Sequence, residues 1–191
     1  MNPKGKAVIF SAPSGAGKTT IVRALLASDL PLQFSVSATS RAPRGEENHG
    51  KDYYFLGING FKDSVDKDGF LEWEEVYPDQ FYGTLKSEID RIWESGNAVI
   101  FDVDVYGGIA LKEKFGDKAL SVFVMPPSVE ALEARLRFRQ TESEEKIQMR
   151  LSKANEELAM GSEFDFELIN AEVDIAVNNA KERIGAFLSD E

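Results

Sequence analysis

The chain has 191 residues, 42% of them hydrophobic, enough for one sizeable core carrying smaller lobes rather than a second independent domain. It has no cysteine, which excludes disulfides, thiolate metal sites and cysteine nucleophiles, and its single histidine leaves too few ligands for a zinc centre. A net charge of −11 repels polyanions and argues against nucleic acid as a partner, while the absence of a long apolar run or a secretory h-region in MNPKGKAVIF makes a soluble cytoplasmic protein, with no membrane partner, the expectation.

In chain order, KAVIF predicts a short buried strand, followed by the glycine loop SAPSGAGKTT and a helix over about residues 18–28. Residues 34–84 are rich in aromatics and turns (KDYYFLGING, WEEVYPDQFYG), predicting a small mixed or β-rich lobe inserted into the parent sheet. His49, in GEENHGKD, reads as a solvated loop residue without a role. Leu85, Ile89, Ile92 and Trp93 share a helix face that ends before Gly96, a C′ glycine. NAVIFDVD and ALSVFVM are apolar runs of strand length, the pattern of parallel strands buried on both faces, and FELIN is another. Residues 128–161 are helical and charged; Thr141 and Glu144 offer a capping box, and Ile147, Leu151, Ala154 and Leu158 a narrow apolar seam suited to a lid. Val173, Ala176, Val177, Ala180, Ile184, Phe187 and Leu188 form the stripe of a C-terminal helix.

The loop carries the chemistry. Backbone N–H groups from Ala12, Pro13 onward through Ser14, Gly15, Ala16, Gly17, Lys18, Thr19 and Thr20 are expected to curl around a nucleotide phosphate tail at a helix N-terminus, proline lending only its shape. Lys18 adds a mobile charge, and Thr19 a hydroxyl for Mg²⁺ carried as Mg-ATP. Ala12 stands where G-x-x-x-x-G-K-[ST] has its first glycine; Pro13 pushes its predecessor toward extended conformations, so Ala12 is predicted to have negative φ. Asp102, closing AVIFD, is a strand-end carboxylate for Mg²⁺, directly or through water. Capping the next turn is the alternative for Asp102, and more strongly for Asp104. Arginines gather in TSRAPR and EARLRFRQTESEEKIQMR, reserving positive potential for a small anion unless they are merely solvated faces.

Behind this loop come FSVSATSRAPRGEENHGKDYYF, FLEWEEV, FYGTL, RLRFRQTESEEKIQMRL and a late LIN, and in this order the chain resembles guanylate kinase along essentially its whole length. The resemblance implies an α/β P-loop three-layer fold with a parallel sheet core (1–33, 89–127 and 162–191), an inserted mixed α/β GMP-binding lobe (34–88) and a helical lid (128–161). Its implied substrates are ATP and GMP. Arg41, Arg44, Tyr53 and Tyr82 would take the GMP phosphate; Glu72, with Ser37 and Thr84, would read guanine, and Asp104 is placed on the same side. Lys18, Arg41 and the lid residues Arg135, Arg139 and Arg150 would be catalytic, with Asn170 near the adenosine; Arg137 lies off their face and is expected to be solvated. Tyr106 departs from the family pattern, standing at the glutamine of D-x-x-Q-G. The alternatives are a catalytically inactive, protein-binding relative and another small P-loop kinase such as a ribose bisphosphate kinase.

Overall fold

The computed structural model describes residues 5–138 and 144–190. The chain opens with β1 (Ala7–Ser11), α1 (Lys18–Leu26) and β2 (Leu32–Phe34), then builds β3 (Ala38–Thr39), β4 (Tyr54–Phe55), α2 (Gly57–Asp66), β5 (Phe70–Tyr77) and β6 (Gln80–Leu85). It returns through α3 (Lys86–Glu94), β7 (Ala98–Asp102), α4 (Val105–Phe115), β8 (Ala119–Met125), α5 (Val129–Phe138), α6 (Glu144–Leu158), β9 (Phe166–Ile169) and α7 (Val173–Ser189).

The core sheet has the order β2-β7-β1-β8-β9, every pairing parallel. Side chains alternate across each strand, so β1 feeds two cores at once. Val8 and Phe10 pack with Val22 and Leu25 of α1 and Ile184 and Leu188 of α7. Ala7 and Ile9 pack with Ile89 and Ile92 of α3 and Leu111 of α4. Burying both faces explains the uninterrupted apolar runs, each large side chain contributing about 1.5–3 kcal/mol. The result is the expected three-layer α/β core.

A second sheet, β4-β3-β6-β5, pairs β6 antiparallel to both β3 and β5. Phe61 of α2 stacks on Phe70 and Phe81, with ring centroids 4.3 and 5.5 Å away. Helices α5 and α6 share a small apolar cluster of Leu132, Leu136, Ile147, Leu151 and Ala154. Among the described residues, no helix is long and apolar enough to cross a membrane.

Local details differ from the sequence reading. Helix α1 stops at Leu26, short of Ser28, whose hydroxyl and amide both bond the Leu25 carbonyl and close the last turn. Leu85 ends β6 and precedes α3 instead of sharing its face. Thr141, the proposed cap, lies outside the described residues, and α6 begins at Glu144. Gly96 does take the C′ role, with φ +82° and its N–H on the Trp93 carbonyl at 3.1 Å.

Candidate active site

The loop between β1 and α1 is built on two left-handed glycines, Gly15 (φ +95°) and Gly17 (φ +96°). A side chain at Gly17 would meet the Asn170 amide nitrogen at 2.4 Å, and one at Gly15 would meet Leu136 at 2.9 Å. Ala12 has negative φ, since the only described non-glycine residues with positive φ are Asp68 and Asp79. The Ala16 N–H turns back to the Pro13 carbonyl at 3.2 Å. Among the described residues, the amides of Gly15, Gly17, Lys18 and Thr19 meet no protein acceptor, leaving a set of donors at the positive end of α1.

Other elements hold this loop in place. Asn170, 1% exposed at the end of β9, donates its amide to the Ala16 carbonyl at 2.7 Å; its buried side-chain oxygen has no partner among the described residues. Arg135 of α5 bridges the carbonyls of Ala16 (3.2 Å) and Asn170 (2.8 Å). Arg150 of α6 reaches the Ser14 hydroxyl at 2.7 Å. Arg139 lies outside the described residues. Arg137 is tied to Glu133 and Glu144 on the exposed face, linking α5 to α6.

At the end of β7, Asp102 accepts from the Thr19 hydroxyl at 2.8 Å and forms an ion pair with Lys18, whose ammonium also donates to the Val103 carbonyl at 2.6 Å. Asp104 caps α4, its side chain accepting the Gly107 N–H at 2.8 Å. A cavity of about 360 Å³ lies over the loop, walled by Lys18, Thr19, Asp102 and Asp104. A separate hollow of about 510 Å³ runs between Gly15, Thr20, Arg135, Phe138, Asn170 and Val173.

A large cavity, about 780 Å³, opens between α4 and the second sheet. Ser37, Tyr53, Glu72, Tyr82 and Thr84 line it, with Asp102 and Asp104 on the opposite wall. Antiparallel register sets Glu72 beside Thr84 and Glu74 beside Tyr82, so these side chains share one face of the sheet. The Thr84 hydroxyl donates to Glu72 at 2.6 Å. Tyr106 is 54% exposed and lines the same cavity.

Arg41 lies over the rings of Tyr53 and Phe55, at 4.9 and 5.5 Å from their centroids, and donates Nε–H to the Tyr82 hydroxyl at 3.2 Å. Its two terminal nitrogens are held by Glu47, which also accepts the Arg44 N–H at 2.7 Å. Hydrogen bonds from Arg41 and then from the Arg44 amide hold the Glu47 carboxyl at about 2. The Arg44 side chain is exposed, and neither arginine lines the large cavity. Sequence reasoning gave Glu47 no role; the signal available was an acid six residues after Arg41, within one turn-rich loop. His49 is exposed, its ring nitrogen accepting the Phe55 N–H at 3.1 Å.

The guanylate kinase family model matches residues 4–187. The chain is 46% identical over 187 residues to a guanylate kinase of Bacteroides thetaiotaomicron, covering 98% of this chain and 92% of the relative. It is also 46% identical over 185 residues to one of Porphyromonas gingivalis, covering 96% and 98%. The crystal structure of guanylate kinase from Anaplasma phagocytophilum superposes with a TM-score of 0.73 at 26% identity, over 98% of this chain and 88% of that one. With a matching family model, full-length relatives and a shared fold, this chain belongs to the guanylate kinase family.

Proposed function

We propose that this protein is an active guanylate kinase, transferring the γ-phosphoryl group of Mg-ATP to GMP or dGMP and releasing ADP and GDP. One observation carries the reading: Asp102, Val103 and Asp104 line both the loop cavity and the large cavity, so the two share a wall. A triphosphate on the loop and a purine at Glu72 would then meet with their phosphates facing. Full-length relatives that are guanylate kinases weigh against the protein-binding and ribose bisphosphate readings.

In this reading the loop amides hold the ATP phosphates, and Lys18 exchanges Asp102 for phosphate oxygens. Adenosine lies toward Asn170, whose side chain buttresses the loop. Glu72 accepts guanine N1–H and N2–H, with Ser37, and Thr84 once its hydroxyl turns from Glu72, serving O6; adenine has no such donor pair on that edge. Tyr53 and Tyr82, which line the large cavity, hold the GMP phosphate with Arg41, which exchanges Glu47 for phosphate oxygens, and with Arg44, which turns in from the surface, and Asp104 faces the same acceptor. Residues 34–88 form the acceptor lobe and 128–161 the lid, which supplies Arg135, Arg139 and Arg150.

The acceptor oxygen is already ionised at neutral pH, so no general base is required. The transition state is loose and charge-rich, and the protein's work is alignment and charge stabilisation by Lys18 and the arginines. The Thr19 hydroxyl and Asp102 carboxylate are hard oxygen donors 2.8 Å apart, a set that fits Mg²⁺. Among the described residues no group of three or more His, Cys, Asp or Glu could hold a metal. Thr19 and Asp102 would hold Mg²⁺, directly or through water, and the ion would supply charge neutralisation to the triphosphate. The cytoplasm, where both nucleotides are held, is the proposed compartment, and the net charge of −11 opposes nucleic acid as a partner.

An acceptor panel with Mg-ATP tests this. ADP release is expected with GMP and dGMP and not with AMP or ribose 1,5-bisphosphate. Release with ribose 1,5-bisphosphate but not GMP overturns the assignment, and GMP binding without any ADP release supports the protein-binding alternative.

A further inference from the structure

Glu88, in the first turn of α3, is 2% exposed and lines neither the loop cavity nor the large one. Its Oε1 accepts the Val36 N–H at 3.1 Å and an Arg91 N–H at 2.9 Å. Its Oε2 accepts the Tyr54 hydroxyl at 2.8 Å and the Arg91 Nε–H at 2.9 Å. Burial alone would push this carboxyl up, but the Arg91 guanidinium, the Val36 amide and the Tyr54 hydroxyl outweigh it and hold the group below its ordinary value. Glu88 is therefore an anion at neutral pH, buried with four hydrogen bonds.

Its donors come from both places where the chain passes between the sheets. Val36 lies in the outgoing link, residues 35–37, between β2 of the core sheet and β3 of the second sheet. Glu88 and Arg91 lie on α3, the return from β6 to the core. Tyr54 is in β4 of the second sheet. The link is docked on the core by the Ser35 N–H to the Ile100 carbonyl at 3.1 Å, and on the second sheet by the Tyr54 N–H to the Ser37 carbonyl at 2.9 Å. Ser37, one residue past Val36, lines the large cavity.

We infer that Glu88 is a positioning residue for the acceptor nucleotide: by joining the two inter-sheet crossings it sets where Ser37 and the Glu72–Thr84 wall stand relative to the phosphate loop. It acts through Val36 and Tyr54 and touches neither nucleotide. The inference rests on GMP being the ligand of the large cavity. It separates the two substrates, because the loop, Lys18 and Asn170 make no contact with this network, whereas the acceptor wall hangs from it.

The test is calorimetric titration of GMP and, separately, of ATP into wild type, Glu88→Gln and Tyr54→Phe, with steady-state KM for both substrates. Glu88→Gln puts an amide nitrogen in place of an oxygen that accepts two hydrogen bonds and should weaken GMP binding at least about tenfold, and Tyr54→Phe, which removes one of the four, about threefold, while the ATP constants move less than about twofold. Wild type that fails to bind GMP overturns the acceptor reading and this inference with it. Wild type that binds GMP, beside variants that bind it equally well or lose GMP and ATP affinity by the same factor, overturns the role of Glu88 alone. Should Glu88→Gln not fold, Tyr54→Phe, which keeps the Glu88–Arg91 and Glu88–Val36 bonds, decides by the same criterion.

Discussion

The terminal nitrogens of Arg41 meet both carboxylate oxygens of Glu47, at 2.6 and 2.8 Å. An arginine proposed for the GMP phosphate is thus held by an internal carboxylate. The folded Glu47 carboxyl sits at about 2 against an ordinary 4.5, so between those values the unfolded chain binds more protons. Stability from this contact is complete above pH 4.5 and is lost as the pH falls through about 2. Carbon-detected NMR of the Glu47 carboxyl should give a midpoint near 2, returning toward 4.5 in Arg41→Met. Equal midpoints in the two proteins would contradict the contact.

Among the described residues, the Lys18 ammonium contacts only Asp102 and the Val103 carbonyl, both at the mouth of the cleft. Lys18→Ala should lower turnover with GMP by about 10²–10³-fold, the effect of removing one preorganised group from a developing charge. Its thermal transition should stay cooperative. Near-normal ADP release by the folded variant would exclude the loop as the catalytic cradle.

Glu72 is the proposed reader of guanine. Glu72→Gln turns one acceptor into a donor facing a donor, and kcat/KM for GMP should fall about 10- to 100-fold, a loss of roughly 1.5–3 kcal/mol for a hydrogen bond to a charged group. KM for ATP should hold steady. An unchanged GMP-to-AMP preference would show that the base is read elsewhere.

Two glycines should respond with opposite sign. Gly17→Ala forces a Cβ against Asn170 at φ +96°, and should cost about 1–3 kcal/mol in strain while abolishing ATP binding. At Gly185, within α7, an added Cβ would meet nothing within 4 Å, and Gly185→Ala should raise stability by up to about 1 kcal/mol. Denaturant midpoints measured on both variants check the contrast.

The parallel core was legible because burial on both faces writes itself as continuous apolar strands, as in AVIFS and ALSVFVM. The loop was legible because its requirements are local to a few residues. Helix α4 was not: the sequence offered only a turn for Asp104 to cap, yet a helix starts there, and a Cβ at Gly108 would fall 2.1 Å from the Ser11 hydroxyl, so close packing of α4 on β1 demands the glycine. Helix α2 begins without a side-chain cap and fully buries only Phe61, with Val65 partly buried beside it, so its apolar stripe is short. Glu88 escaped notice for another reason, since its Val36 and Tyr54 partners lie 52 and 34 positions away and only the folded chain brings them together.

The most direct test follows the transferred atom. With Mg-ATP labelled at its γ-phosphorus and GMP as acceptor, the label should appear in the β-phosphoryl group of GDP, in step with ADP formation. Label released as inorganic phosphate, or left in ATP while GMP stays bound, would contradict the proposed transfer.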